Sequence, residues 1–257
     1  MPRLVSPNLP SRRRIGWLAV AMMLGYASAA NAGPWNIGDL TTFGQGLWGG
    51  VPGLDAGATL VNADFDTVYQ SAGALVVGSA SGFVIFFTDP SPVLDYLPSI
   101  GPYAALDGSV TDPVSTSSGA FGGDVTALAL NVDFSDAGLL PGTSGLRFGD
   151  LVLTGFSTFP QLNGLTVRQF LADMNTLLSG GSSIVSISDL DSIPDGVDNE
   201  IVSDLNASFS SGLFATPFAE DHLLAPSDTA RVVPEPVSSV LLCSGLLSLA
   251  AIRRWRI

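Results

Sequence analysis

Two uncharged apolar runs bordered by arginines constrain this chain most, because they set a body of roughly 200 residues apart from both flanks. Sixteen residues from Val237 to Ile252 carry no charge and are rich in Leu, Val and Ala. Arg253, Arg254 and Arg256 follow them. As a helix this run spans about 24 Å, a little short of the ~30 Å hydrocarbon core of a bilayer. Trp255 and the arginines can snorkel and close the gap. The basic side predicts that end in the cytoplasm and the body outside. A plain membrane anchor and a buried core helix are the competing readings, and the crowded arginines argue against the second.

The other apolar run, Ile15 to Tyr26, follows Arg12-Arg13-Arg14 and leads into Ala27-Ser28-Ala29-Ala30-Asn31-Ala32. Basic, apolar and small-residue segments in that order predict a secretory signal peptide over residues 1–32. Cleavage is expected after Ala32, with Ala30 as the alternative. An arginine triplet suits general secretion and the twin-arginine route alike. In the tail, Pro234-Glu235-Pro236 stands immediately before the apolar run. That order of Pro-Glu-Pro, apolar segment and arginine cluster over residues 233–257 resembles the PEP-CTERM sorting signal of Gram-negative bacteria. The resemblance implies processing near Pro234, Glu235 and Pro236 by an exosortase, a membrane-embedded cysteine protease-like enzyme. It also implies export to the cell surface or extracellular matrix of bacteria that make exopolysaccharide or biofilm.

Composition narrows what the body can do. Residues 33–233 hold 22 acidic residues against Arg147, Arg168 and Arg231, a net charge of −19 where the whole chain carries −13. The chain has no lysine. Such a surface repels nucleic acid, whose phosphates need clustered Lys and Arg, and it suits solubility or cation binding. The single cysteine, Cys243, lies in the apolar tail, so the body has neither a disulfide nor a thiol nucleophile. His222 is the sole histidine. A zinc site built from several histidines is excluded, and a Ser-His-Asp triad would have to use His222. Its polar, Pro-flanked surroundings predict a solvated linker histidine.

Within the body, Gly33 to Gly57 is Gly-rich and spaces Trp35, Phe43 and Trp48 among turn residues. Aromatics in such an arm pack it onto its own domain or form a carbohydrate platform, and packing is the favoured reading. Thr42 to Gly49, with Asp64-Phe65 and Val68-Tyr69, is similar to the opening of a module of bacterial secreted and surface proteins to which no activity attaches. Residues 74–77 and 83–87 are short apolar runs around Gly78-Ser79-Ala80-Ser81-Gly82 and predict a β-hairpin. Ser91-Pro92 predicts an N-cap and first helical residue ahead of Val93 to Leu97. Pro102 to Gly119 reads as loop. Ala120 to Phe134 fits both strand alternation and helical spacing; its alanines favour a buried helix, and Gly122-Gly123 argues against one.

Thr166 to Ser179 is the clearest element. Thr166 and Gln169 make a capping box, with Leu165 and Phe170 placed as a staple. Val167, Phe170, Leu171, Met174, Leu177 and Leu178 fall on one stripe, and Gly180 supplies the stop. From Ser210 the periodicity is lost, and 216–232 reads as a spacer. Asn206-Ala207-Ser208 matches a glycosylation sequon, which means little for the bacterial source that the resemblance implies.

One stretch has the composition of a metal site. Asp189, Asp191, Asp195 and Asp198 lie close together around Gly196 and can offer hard oxygen ligands to Ca²⁺. Ile193 to Asn199 resembles the calcium-binding aspartate repeats of the thrombospondin type 3 kind. Leu190 and Ser192 stand where that pattern has glycines, Ile187 where it has Asp, and there is one copy. The alternative is helical. Ile187, Leu190, Ile193, Val197, Ile201, Leu205 and Phe209 recur every three or four residues behind a possible Ser188 cap, with the carboxylates solvated. The helical reading is favoured, and no cofactor is required.

These readings predict an α+β fold: one helix-rich domain over 33–215 with a small β-hairpin or sheet, flanked by a signal peptide and a C-terminal transmembrane helix. The expected role is structural or adhesive and not enzymatic, with exosortase, the membrane and exopolysaccharide as partners. A calcium-dependent binding module is the alternative. A carboxylate-based glycan-acting enzyme stands behind it, because no spacing singles out a carboxylate pair.

Overall fold

The structure is a computed structural model and describes residues 35–190 and 201–226. In chain order the elements are α1 (Gln45–Trp48), α2 (Ala56–Tyr69), β1 (Leu75–Gly78), β2 (Val84–Phe87), α3 (Pro90–Tyr96) and β3 (Val110–Thr111). Then come α4 (Gly119–Asp136), a 3₁₀ turn at Phe148–Asp150, β4 (Val152–Leu153) and α5 (Val167–Leu178). The last are α6 (Ile187–Leu190), α7 (Ile201–Ala207), α8 (Pro217–His222) and β5 (Leu223–Leu224). The fold is α+β, as expected.

Helix α4 forms the centre. Fourteen of its 18 residues are buried, so it has no solvent face and is wrapped by α1, α5, α7, the 3₁₀ turn and β1. The Gly122-Gly123 pair, which argued against a helix, is what lets neighbours approach it. A methyl group at Gly122 would overlap Ser118 Oγ and Tyr96 OH, and one at Gly123 would overlap the Gln45 amide. Close packing outweighs the modest helix penalty of glycine.

Helix α5 forms as its sequence dictates. Thr166 Oγ1 accepts from Gln169 N, the Gln169 side chain accepts from Thr166 N, and all six stripe residues are buried. Gly180, at φ +80°, takes the left-handed turn that ends it. The hairpin is also as expected, with Leu75 opposite Phe87 and Gly78 opposite Val84. Behind it, β3 adds a short parallel edge to β2 inside a segment read as loop. Helix α3 starts two residues early, because the Asp89 carboxylate accepts from Ser91 N and Pro90 takes the first turn. The Gly-rich arm is packed inward: Trp35, Phe43 and Trp48 are all buried.

The spacer assignment needs correction. Residues 217–224 carry α8 and β5, and β5 pairs antiparallel with β4 through Val152–Leu224 and Leu153–Leu223. His222 is not a solvated linker residue: its ring stacks on Phe156 at 4.3 Å and 24° and tilts against Phe218 at 4.9 Å. Its Nδ1 lies 2.9 Å from the Thr154 carbonyl oxygen. Trp35 ties the start of the fold to this segment, donating from Nε1 to the carbonyls of Ala219 (3.1 Å) and Leu223 (3.2 Å). Among the described residues no helix is long and apolar enough to cross a membrane. The expected signal peptide and transmembrane helix lie outside the described residues.

Candidate functional site

Of the four aspartates considered for calcium, only Asp189 is described. It sits in α6, where Oδ2 accepts from Ser186 N (2.8 Å) and Ser186 Oγ (2.7 Å), while Asp189 N donates back to Ser186 Oγ. These hydrogen bonds hold the carboxyl below its ordinary range. Asp189 therefore completes a helix start whose cap is Ser186 rather than Ser188. Leu190, Ile201, Leu205 and Phe209 are buried and Ile187 packs against the core; Phe209 lies beyond the end of α7. Asp191, Asp195 and Asp198 lie outside the described residues, as do Ile193 and Val197. The sorting residues Pro234, Glu235, Pro236, Arg253, Arg254 and Arg256 also lie outside them. Among the described residues no group of three metal-ligating side chains comes together.

The chemistry that the fold does assemble is elsewhere. A pocket of about 540 Å³ opens between the end of α2, the start of β1 and the end of α4. Tyr69, Leu75 and Val76 line one side, and Asp133 and Asp136 the other. Tyr69 is buried and donates from its hydroxyl to Asp133 Oδ2 at 3.0 Å. Burial pushes the Asp133 carboxyl up from 3.8 to about 6, against the Tyr69 hydrogen bond; the neighbouring Asp136 adds to the rise and Arg168 opposes it. Burial, then the charge and hydrogen bond of Asp133, lifts the Tyr69 hydroxyl well above its ordinary value of 10.0. The tyrosine is consequently a fixed donor rather than an acid or nucleophile.

Asp136 is neutralised differently. Arg168, near the start of α5, grips it with Nη1 at 2.7 Å and Nη2 at 2.9 Å and reaches Asp150 Oδ1 at 3.2 Å. Hydrogen bonding to Asp136 raises the guanidinium further above its ordinary value. The clamp is partly exposed, so its worth to stability is small, but it leaves Asp133 as the pocket carboxylate without a cation. Sequence reading missed Asp133. The available signal was its charge beside Val132 and Phe134 in an otherwise apolar helix.

A testable pH dependence follows. Asp133 binds its proton more tightly when folded, so its contribution is most favourable below about pH 4 and becomes a penalty as pH rises through about 6. A displacement of about two units corresponds to about 3 kcal/mol at neutral pH. Asp133→Asn removes the buried charge and keeps a side-chain oxygen for Tyr69. It is expected to melt higher than wild type at pH 7.5, with the gap closing towards pH 4. Equal melting temperatures at pH 7.5 would show that Asp133 bears no such penalty.

A second buried polar cluster runs along α4 from Asp124 to Asn131 and serves the fold. Asp124 accepts from Gln45 Nε2 and Tyr103 OH, both at 2.7 Å. Asn131 accepts from Phe43 N and donates to Phe43 O, each at 2.8 Å, and donates to Asn206 Oδ1 at 3.0 Å. Asn206, the sequon asparagine, is buried and donates to the Asp124 carbonyl. These contacts fasten the Gly-rich arm and α7 to α4.

Comparison with known proteins brings no further constraint: no family model, curated protein or solved structure matches this chain.

Proposed function

We propose that this chain is an exported protein delivered through exosortase-type sorting, with a structural or adhesive role at the cell surface or in an exopolysaccharide matrix. The observation that carries the reading is the succession Pro234-Glu235-Pro236, an uncharged run to Ile252, and Arg253, Arg254 and Arg256. The signal-peptide pattern of residues 1–32 accords with it. So does a lysine-free, strongly acidic body, which suits a hydrated extracellular setting. Trp35 is already buried in the fold, three residues after Ala32, so cleavage there leaves the domain whole.

The test is an intact mass of the protein from fractionated producing cells. The mature chain is expected to begin at Gly33 or Asn31 and to have lost its apolar tail near Pro234–Pro236. A surface fraction that retains residues 253–257 would make the tail a permanent anchor and remove the processing step. Recovery of the whole chain in the cytosol would remove the export reading altogether.

A further inference from the structure

The β1 edge of the three-stranded sheet lies beside Asp133. Among the described residues, strand β1 has β2 on one side and no strand on the other. Which backbone groups face that free side is fixed by three hydrogen bonds. Gly78 N points away from β2 and donates to Asn175 Oδ1 at 2.8 Å. Its partner Val84 points its N–H the other way, to Ser109 Oγ. Phe86 O accepts from Asp112 N, again on the far side of β2 from β1. In an antiparallel ladder the bonded and non-bonded pairs alternate. The Val76–Phe86 pair is therefore non-bonded, and the N–H and C=O of Val76 face outward along the free edge. At Gly78 that edge is covered by α5. At Val76 it borders the pocket that holds Asp133 and Asp136.

We infer that this edge is a docking site for an extended peptide segment from another protein, which pairs with Val76 and places a lysine ammonium beside Asp133. Main-chain pairing to an exposed edge supplies affinity, and the pocket alongside supplies side-chain choice. Charge selects the occupant. Asp136 is held by Arg168, whereas Asp133 has its Tyr69 hydrogen bond and no cation within bonding distance among the described residues. The chain has no lysine of its own, so a lysine ammonium arrives only on a partner. A sugar ring fits less well, because Tyr69, the pocket's aromatic residue, is buried and offers no stacking face.

The experiment is a calorimetric titration of the full chain with the synthetic peptide Ac-Thr-Val-Lys-Val-Thr-NH2, in parallel with its Lys→Gln counterpart. The lysine peptide is expected to bind at least about tenfold more tightly than the glutamine peptide. Asp133→Asn, which should fold at least as well as wild type, is expected to erase that preference. Val76→Pro, which deletes the outward N–H at an edge where proline is tolerated, is expected to weaken both peptides. Absence of saturable binding of either peptide overturns the site. Equal binding of the two to wild type, or a lysine preference that survives in Asp133→Asn, overturns the assignment to Asp133.

Discussion

Phe170→Ala is expected to lower the free energy of unfolding by about 3–5 kcal/mol, a large share of the ~5–15 kcal/mol that holds a typical domain. The ring is fully buried on the α5 stripe, whose helix packs against α4 and β1. Its truncation removes apolar contacts from the main core and leaves a cavity that the surrounding helices cannot close. Thr166→Ala, one turn earlier, loses only a cap and should cost about 1 kcal/mol. Denaturant melts of both variants separate packing from capping. A Phe170→Ala midpoint equal to that of wild type would show that the stripe does not support the core.

Asn131→Leu should be of comparable size for the opposite reason. It keeps the branched shape and heavy-atom count of the side chain, yet it strands the Phe43 N–H and C=O and the Asn206 side-chain carbonyl, three buried groups that Asn131 satisfies. Each buried polar group left without a partner costs about 1–3 kcal/mol, so a total loss of about 3–9 kcal/mol is expected. The Gly-rich arm should loosen first. Faster amide exchange at Phe43, with α5 still protected, is the signature. Uniform exchange across the chain would mean that the arm and the core unfold as one unit.

The sequence was most legible where structure is decided locally. Thr166 with Gln169, the apolar runs around Gly78 to Gly82, and the stop at Gly180 each carry their instruction within a few residues. The central helix was harder, because Gly122-Gly123 weakens the local preference and only the closeness of Tyr96 and Gln45 explains it. Strands β4 and β5 were not legible at all. Two residues each give no periodicity, and Val152 pairs with Leu224, 72 positions further along the chain. The candidate site belongs to the same class. Burial that only the assembled core provides makes Asp133 a weaker acid, and Tyr69, the donor that partly offsets this, lies 64 residues away.

The joint at Trp35, β4 and β5 also has a mechanical consequence. If the tail is the tether, tension enters the domain near Pro226 and meets the two ladder pairs Val152–Leu224 and Leu153–Leu223 one at a time. The Trp35 bonds to Leu223 and Ala219 come next in the line of load. A short antiparallel ladder pulled from its end yields like a zipper, one pair after the other. Releasing residues 216–226 would pay out roughly 35–40 Å of chain at full extension. The domain would then stay folded on a leash that lengthens under strain, a compliant coupling between a tethered surface protein and whatever it holds.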